Sequence, residues 1–353
     1  MNTTPASLRV TTIGDGAMAT VCSLILASRN CSVSILGRLP DQLAQFEAAR
    51  QNTRYLPGIP IPPAVRFTAD PAAVFAACGL IICAIPTQFI RPTLTKLAPF
   101  IPPAIPIISV SKGIEYETLL RPSQIIHAVL DGWHGPAQFA GPCVAAPRPV
   151  ASLSGPNLAG ELARNLPATA VVASADEALA LKAQSLFTTR SLRIYRHHDL
   201  IGVELGGALK NVIAVAAGML DGLKAGNNAK ASLLTRGLVE IARLGVAMGA
   251  EAETFAGLAG LGDLVTTCVS PEGRNRTFGE RVGRGEKVAD VLASMVGVVE
   301  GVATTQSVVA LAKRHDVEMP ISQSLYQVLF EGKNPHEGIR DLMARDPKHE
   351  AED

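Results

Sequence analysis

Leu8-Arg9-Val10-Thr11-Thr12-Ile13-Gly14-Asp15-Gly16-Ala17-Met18-Ala19 is the stretch on which the reading of this chain turns. Residues 8–13 form a short apolar run suited to a strand. Residues 17–28 follow with helical spacing, Val21, Leu24, Ile25 and Leu26 giving them an apolar side. The link between them is G-x-G-x-x-A. Gly14 permits the tight turn. Gly16 lets the backbone approach a pyrophosphate, which then rests on the unpaired N–H groups at the start of the helix. Ala19 packs helix on strand at the cost of one methyl. A strand-to-helix turn of this kind near the start of the chain predicts a dinucleotide site whose cofactor-facing residues are Gly14, Gly16, Ala17 and Met18.

Working outward, residues 31–36, 80–85, 105–110, 150–153 and 168–173 are further continuous apolar runs, with helix-period segments between several of them. Strands that are apolar on both faces and alternate with helices predict a doubly wound parallel sheet of the Rossmann type. Beyond about residue 196 the strand-like runs stop. Helical spacing takes over at 199–220, 229–248, 252–258, 288–295, 304–314 and 321–330. The expected organisation is a dinucleotide-binding domain over 1–196, an all-α domain over 197–345 and a charged tail over 346–353. The Gly- and Pro-rich segment 131–149 reads as a surface loop.

Composition narrows the function classes. The 353 residues suit two domains, and 48% are hydrophobic, but only 4% are aromatic, so aliphatic side chains must fill the cores. A net charge of +1 with both signs mixed along the chain gives no footprint for nucleic acid. The six cysteines form no C-x-x-C and stand beside no histidine at metal-ligand spacing. They read as reduced structural thiols without a metal, which fits the cytoplasm. No secretory leader is expected, and no apolar run reaches the ~20 residues of a membrane span.

The second apolar run ends Ile35-Leu36-Gly37-Arg38. An NAD-specific site usually carries an acid there to hold the ribose 2′-hydroxyl. None is present, and Arg38 suits a 2′-phosphate, which favours NADP over NAD. The alternative is that Arg38 is a solvated surface residue. Asp41, after Pro40, reads as a helix N-cap or first-turn acid.

Glu204-Leu205-Gly206-Gly207-Ala208-Leu209-Lys210-Asn211 is an unusual helix. Each interior glycine costs ~1 kcal/mol against alanine, so the pair implies a close approach to the backbone. Lys210 shares a face with Gly206, Gly207, Ile213 and Ala214. Desolvation on such a face lowers a lysine's pKa and suits it to proton transfer to an alkoxide. The alternative is a lysine that reaches solvent along an apolar stripe. Candidates for holding an anion are Lys112 in Ser109-Val110-Ser111-Lys112-Gly113, just past a strand, and Arg274 with Asn275 behind Gly273. Asp263 could orient Lys210 or accept a substrate hydroxyl.

Together these phrases resemble bacterial NAD(P)-dependent glycerol-3-phosphate dehydrogenase over nearly the whole chain. The likeness is also carried by Asn52-Thr53-Arg54-Tyr55-Leu56-Pro57-Gly58, Ile85-Pro86-Thr87-Gln88, Leu153-Ser154-Gly155-Pro156, Gly260-Leu261-Gly262-Asp263 and Val299-Glu300-Gly301. The resemblance implies reduction of dihydroxyacetone phosphate to sn-glycerol 3-phosphate, which feeds glycerophospholipid synthesis. It puts Lys210 on the proton donor and acceptor, and Lys112 on a lysine shared by substrate and cofactor. Gly155, Asp263 and Asn275 fall on substrate-contacting positions. Arg274 falls on a residue serving both ligands, and Ala159, Val298 and Glu300 fall on cofactor-side positions. The chain departs from the family at Met18, where an aromatic is common, and at Ala19. Asn157 and Gly273 each replace a serine, and both are kept as substrate-side candidates. A homodimer is expected, with no membrane insertion. Two other readings remain: a related two-domain dehydrogenase acting on another small oxo or hydroxy acid, and a dinucleotide-binding protein without catalysis.

Overall fold

The computed structural model describes residues 7–132, 147–347 and 349–350. The chain divides into two compact units. One is Met1–Ser111 with Pro122–Leu200, and the other is Lys112–Arg121 with Ile201–Asp353. A linear division at 196 and 197 has no place for the short excursion after Ser111. It joins the helical unit because its apolar side chains, Ile114 and Leu119, are buried in that unit's core.

The first unit is an eight-stranded sheet. Its strands are β1 (Arg9–Ile13), β2 (Ser32–Leu36), β3 (Val65–Thr68), β4 (Leu80–Cys83), β5 (Ile107–Ser109), β6 (Val150–Ser154), β7 (Ala168–Ser174) and β8 (Leu192–His197). Their spatial order is β3-β2-β1-β4-β5-β6-β7-β8. Helices α1 (Ala17–Ser28), α2 (Pro40–Ala49), α3 (Pro71–Phe75), α4 (Ile90–Leu97), α5 (Pro122–Leu130), α6 (Ala159–Ala163) and α7 (Glu177–Phe187) connect them. The sheet is parallel from β3 through β6, with Thr12 opposite Ile35 and Ile13 opposite Leu36. It is not parallel throughout, because β7 runs antiparallel to β6. The five residues of α6 rise only about 7.5 Å, about half the length of a five-residue strand. The chain therefore re-enters the sheet at the end it left. Continuous burial of β4 and β6 matches their unbroken apolar runs. Val10, Ile35, Leu80, Ile82 and Ile108 belong to the buried core of this unit.

The parallel strands bring their carboxyl ends to one edge. Gly14 follows β1, Gly37 follows β2, the Ala84–Ile85 segment follows β4, Val110–Ser111 follows β5 and Gly155 follows β6. This is where an open α/β sheet binds ligands.

The second unit is helical: α8 (Leu200–Gly222), α9 (Gly226–Ala247), α10 (Ala252–Ala256), α11 (Asp263–Val269), α12 (Arg274–Gly283), α13 (Val288–Ser294), α14 (Glu300–Arg314), α15 (Pro320–Phe330) and α16 (Pro335–Met343). A single π-turn, Leu258–Gly262, feeds α11. The expectation that no run reaches membrane-spanning length is corrected by α8, which passes by length and composition. However, 83% of that apolar window is buried, so α8 is the core helix of its unit. Most of the expected surface loop at 131–149 and half of the expected tail at 346–353 lie outside the described residues, as does Cys143. The five described cysteines are free thiols.

Candidate active site

At the nucleotide end, Gly14 adopts φ +112°, and a Cβ there would stand 2.5 Å from the Ala84 carbonyl oxygen. Gly16 is the N-cap of α1 and supplies no side chain to the first turn. Open space surrounds the point where its Cβ would be. The N–H groups of that first turn have no acceptor within the helix, an arrangement that suits an anion. Ala17 and Met18 begin the helix and are half-buried. Asn52, fully buried, braces the turn. Its Nδ2 donates to the Asp15 carbonyl and to Thr20 Oγ1, both at 2.8 Å, and its Oδ1 accepts from the Tyr55 N–H at 3.1 Å. The phrase beginning at Asn52 therefore has a structural reason: it locks the dinucleotide turn.

Arg38 is exposed just past β2. A carboxylate does reach this place, though not from β2. Asp15, in the link between β1 and α1, lies against Gly37, and the charge of Arg38 acts on its carboxylate. Asp41 is a first-turn acid of α2, with Leu39 as the N-cap. Gly155 adopts φ +116° at the end of β6, and Asn157 and Ala159 follow it, half-buried.

The helical unit gathers the charged candidates. Asp263, 2% exposed, grips two lysines. Its Oδ2 accepts from Lys112 Nζ at 2.7 Å and its Oδ1 from Lys210 Nζ at 2.6 Å. Lys210 also donates to Thr267 Oγ1 at 2.5 Å, and Thr267 passes its own proton to the Asp263 carbonyl at 2.7 Å. An ammonium has three hydrogens. These two bonds hold Lys210 by two of them and leave one for a ligand. Burial pushes the Lys112 ammonium down to about 8. The Lys210 charge pushes it the same way, and the Asp263 carboxylate opposes both.

Glycine chemistry sets this geometry. A Cβ on Gly206 would come 2.7 Å from the Ala259 carbonyl oxygen, so only glycine admits the π-turn against α8. That turn delivers Asp263 to Lys210. The excursion carrying Lys112 is fixed at both ends: Asn211 Nδ2 donates to the Lys112 carbonyl at 3.3 Å, and buried Arg121 pairs with buried Glu204. Ser307 Oγ donates to the Ile114 carbonyl at 3.1 Å.

Gly273 caps α12 without a side chain, and Arg274 and Asn275 occupy the first turn. Arg274 Nε donates to the Val298 carbonyl at 3.2 Å. Asn275 is buried, and part of its capacity serves the fold. Its Nδ2 donates to Asn211 Oδ1 at 2.8 Å, and its Oδ1 accepts from the Gly301 N–H at 2.9 Å. One Nδ2 hydrogen remains available to a ligand. Glu300 opens α14. Sequence reasoning gave no role to Asp15, Asn52, Asn211 or Thr267. Thr267 was findable as the residue one turn after Asp263, and Asn211 as the neighbour of Lys210. Asp15 and Asn52 carry no periodic signal.

A glycine turn at a Rossmann helix, followed by a helical unit with paired lysines on one carboxylate, is the build of a two-domain dinucleotide-dependent dehydrogenase. Residues 9–180 match the NAD-dependent glycerol-3-phosphate dehydrogenase N-terminus, and residues 199–340 match the C-terminus of the same family. The chain belongs to that family. It is 42% identical to a glycerol-3-phosphate dehydrogenase [NAD(P)+] of a Geobacter species over 97% of this chain and 98% of that one. It is 44% identical to one from Geobacter sulfurreducens over 98% and 99%. A crystal structure of glycerol-3-phosphate dehydrogenase from Coxiella burnetii matches with TM-score 0.89 and 32% identity, over 97% of this chain and 100% of that one.

Proposed function

We propose that this chain reduces dihydroxyacetone phosphate to sn-glycerol 3-phosphate with NADPH or NADH, reversibly and with NADP favoured. The observation that carries the reading is the grip of Asp263 on Lys112 and Lys210. Two ammonium groups against one carboxylate leave a net positive charge in a buried place, which suits a small anionic substrate. The bound cofactor supplies the hydride that the carbonyl carbon receives. Lys210 gives the proton on Nζ to the resulting alkoxide and recovers it in the reverse direction, Asp263 and Thr267 fixing its aim. Lys112, Arg274 and the remaining Asn275 hydrogen hold the charged end of the substrate, with Gly155, Asn157 and Gly273 as further contacts. Gly14, Gly16, Ala17 and Met18 take the pyrophosphate, Arg38 the adenosine ribose, and Ala159, Val298 and Glu300 the rest of the cofactor.

The product feeds glycerophospholipid synthesis in the cytoplasm, a setting supported by the free thiols of the five described cysteines. A homodimer is supported by Leu261, Val265 and Val269, which stand exposed at a spacing of four residues on the helical unit. Sedimentation at a single-chain mass would rule it out. The test of the reaction is oxidation of NADPH and of NADH with dihydroxyacetone phosphate, followed by absorbance. Lys210→Ala must abolish turnover, and ordinary turnover by that variant overturns the assignment.

A further inference from the structure

The end of β2 usually decides between the two nicotinamide cofactors, through an acid on that strand for the ribose 2′-hydroxyl. Here the acid comes from the neighbouring turn. Gly37 leaves the space: a Cβ at this position would lie 2.8 Å from Asp15 Oδ2 and 3.1 Å from Asp15 Cβ. Gln42 Nε2 approaches Oδ2 of the Asp15 carboxylate at 3.4 Å, the backbone N–H groups of Asp15 and Arg38 lie near it, and the charges of Arg38 and Arg54 act on it. Gln42 turns its other end to Arg54, accepting from the guanidinium at 2.9 Å through Oε1. Arg54 in turn rests over the Tyr55 ring, 5.2 Å from its centre. Beside this row lies a cleft of about 380 Å³ whose lining includes Leu39, Pro40, Asp41, Gln45, Thr53 and Arg54. Partial burial holds the Asp15 carboxyl above the usual carboxylate range, with the two arginines opposing that shift.

One edge therefore carries two acids, Asp15 and Asp41, and two cations, with a glutamine bridging Asp15 and Arg54. A 2′-hydroxyl needs an acceptor, and a 2′-phosphate needs cations and suffers beside a carboxylate. We propose that Asp15 sets the balance between NAD and NADP. Its carboxylate accepts the ribose 2′-hydroxyl of NAD, and its charge weakens the hold of Arg38 and Arg54 on the 2′-phosphate of NADP. Asp15 thus does from the link between β1 and α1 what an acid on β2 does elsewhere. Arg54, from the Asn52 phrase, is the second phosphate-reading cation beside Arg38. The inference rests on the reading above that the Gly14 turn binds a nicotinamide dinucleotide.

The test needs no turnover. Kd values for NADH and NADPH are measured by fluorescence titration for the native chain, Asp15→Asn and Arg54→Ala, and those for 5′-ADP and 2′,5′-ADP by calorimetry. Asp15→Asn keeps the shape and removes the charge. It should weaken NADH and tighten NADPH, moving the ratio of the two Kd values by about tenfold or more, the scale of one charge-assisted hydrogen bond. Arg54→Ala, at an exposed position, should weaken NADPH and 2′,5′-ADP several-fold and leave NADH and 5′-ADP unchanged. If Asp15→Asn shifts both cofactors by the same factor, or neither, the inference fails and the dehydrogenase reading stands. If the native chain binds neither cofactor, both fail. Should Asp15→Asn not fold, an Arg54→Ala variant that treats the two cofactors alike overturns the proposal by itself.

Discussion

Lys112 and Lys210 lie 98 positions apart in sequence (210 − 112) and are fastened to opposite oxygens of the same carboxylate, that of Asp263. Replacing Asp263 by Asn keeps the volume and removes the charge that buried Lys210 and part-buried Lys112 share. Breaking a buried pair from one side costs about 3–5 kcal/mol. Asp263→Asn should therefore melt well below the native chain and lose turnover by orders of magnitude. A variant with native melting temperature and native kcat would contradict this account of the site.

The depressed titration of Lys112 gives two pH effects. Its folded value of about 8 lies below the 10.5 of a free lysine side chain. Between these values the unfolded chain holds the proton that the folded chain has released, so this group's contribution to stability rises with pH across that window. Below about 8 both states are protonated, and the penalty is constant. Lys112→Met removes the group, so the native chain should gain stability relative to this variant between pH 8 and 10.5, as read by urea midpoints. The ammonium that would hold the substrate phosphate is lost over the same rise. KM for dihydroxyacetone phosphate should therefore climb above about pH 8 in the native chain and stay flat in Lys112→Met.

Gly206→Ala tests the close approach between α8 and the π-turn. The new methyl would press on the Ala259 carbonyl at 2.7 Å, and backbone cannot step aside as a flexible side chain can. Overpacking of this kind costs about 1–3 kcal/mol. Because the turn leads into Asp263, kcat should fall more than KM rises. Steady-state kinetics showing KM alone changed would mean that the turn does not position Asp263.

Asn52→Ala should act on the cofactor rather than on the lysines. It removes donors to the Asp15 carbonyl and Thr20 Oγ1 in a fully buried place, and unsatisfied buried groups cost about 1–3 kcal/mol each. The expected outcome is a lower melting temperature and a raised Kd for NADPH. The pH dependence assigned to Lys112 should remain. Unchanged cofactor affinity would detach Asn52 from the turn it braces.

Much of the first unit is legible in the sequence because strands buried on both faces, such as Leu80–Cys83, read as unbroken apolar runs. The outermost strands are not legible in the same way. Leu192–His197 alternates buried Leu192 and Ile194 with exposed Arg193 and Tyr195, and Val65–Thr68 has only four residues. The lysine helix announces itself through its paired glycines, although the partner that exploits Gly206 lies more than fifty residues downstream. Asp15 is the clearest case of what pattern cannot carry. The middle residue of a G-x-G turn has no periodicity, and its carboxylate matters through the space that Gly37 leaves beside it.

The excursion Lys112–Arg121 also bears on the order in which the chain can be completed. Ile114, wholly buried, and Leu119 are spelled more than eighty residues before Ile201, yet the core that covers them is made by helices from Ile201 onward. During synthesis these apolar side chains must wait in water, on a stretch between β5 and α5. A chain truncated after β8 would carry a sheet with an uncovered apolar tab. Such a fragment is expected to be stickier than the whole protein, and fusing the two halves from separate genes would have to cut somewhere other than at this tab.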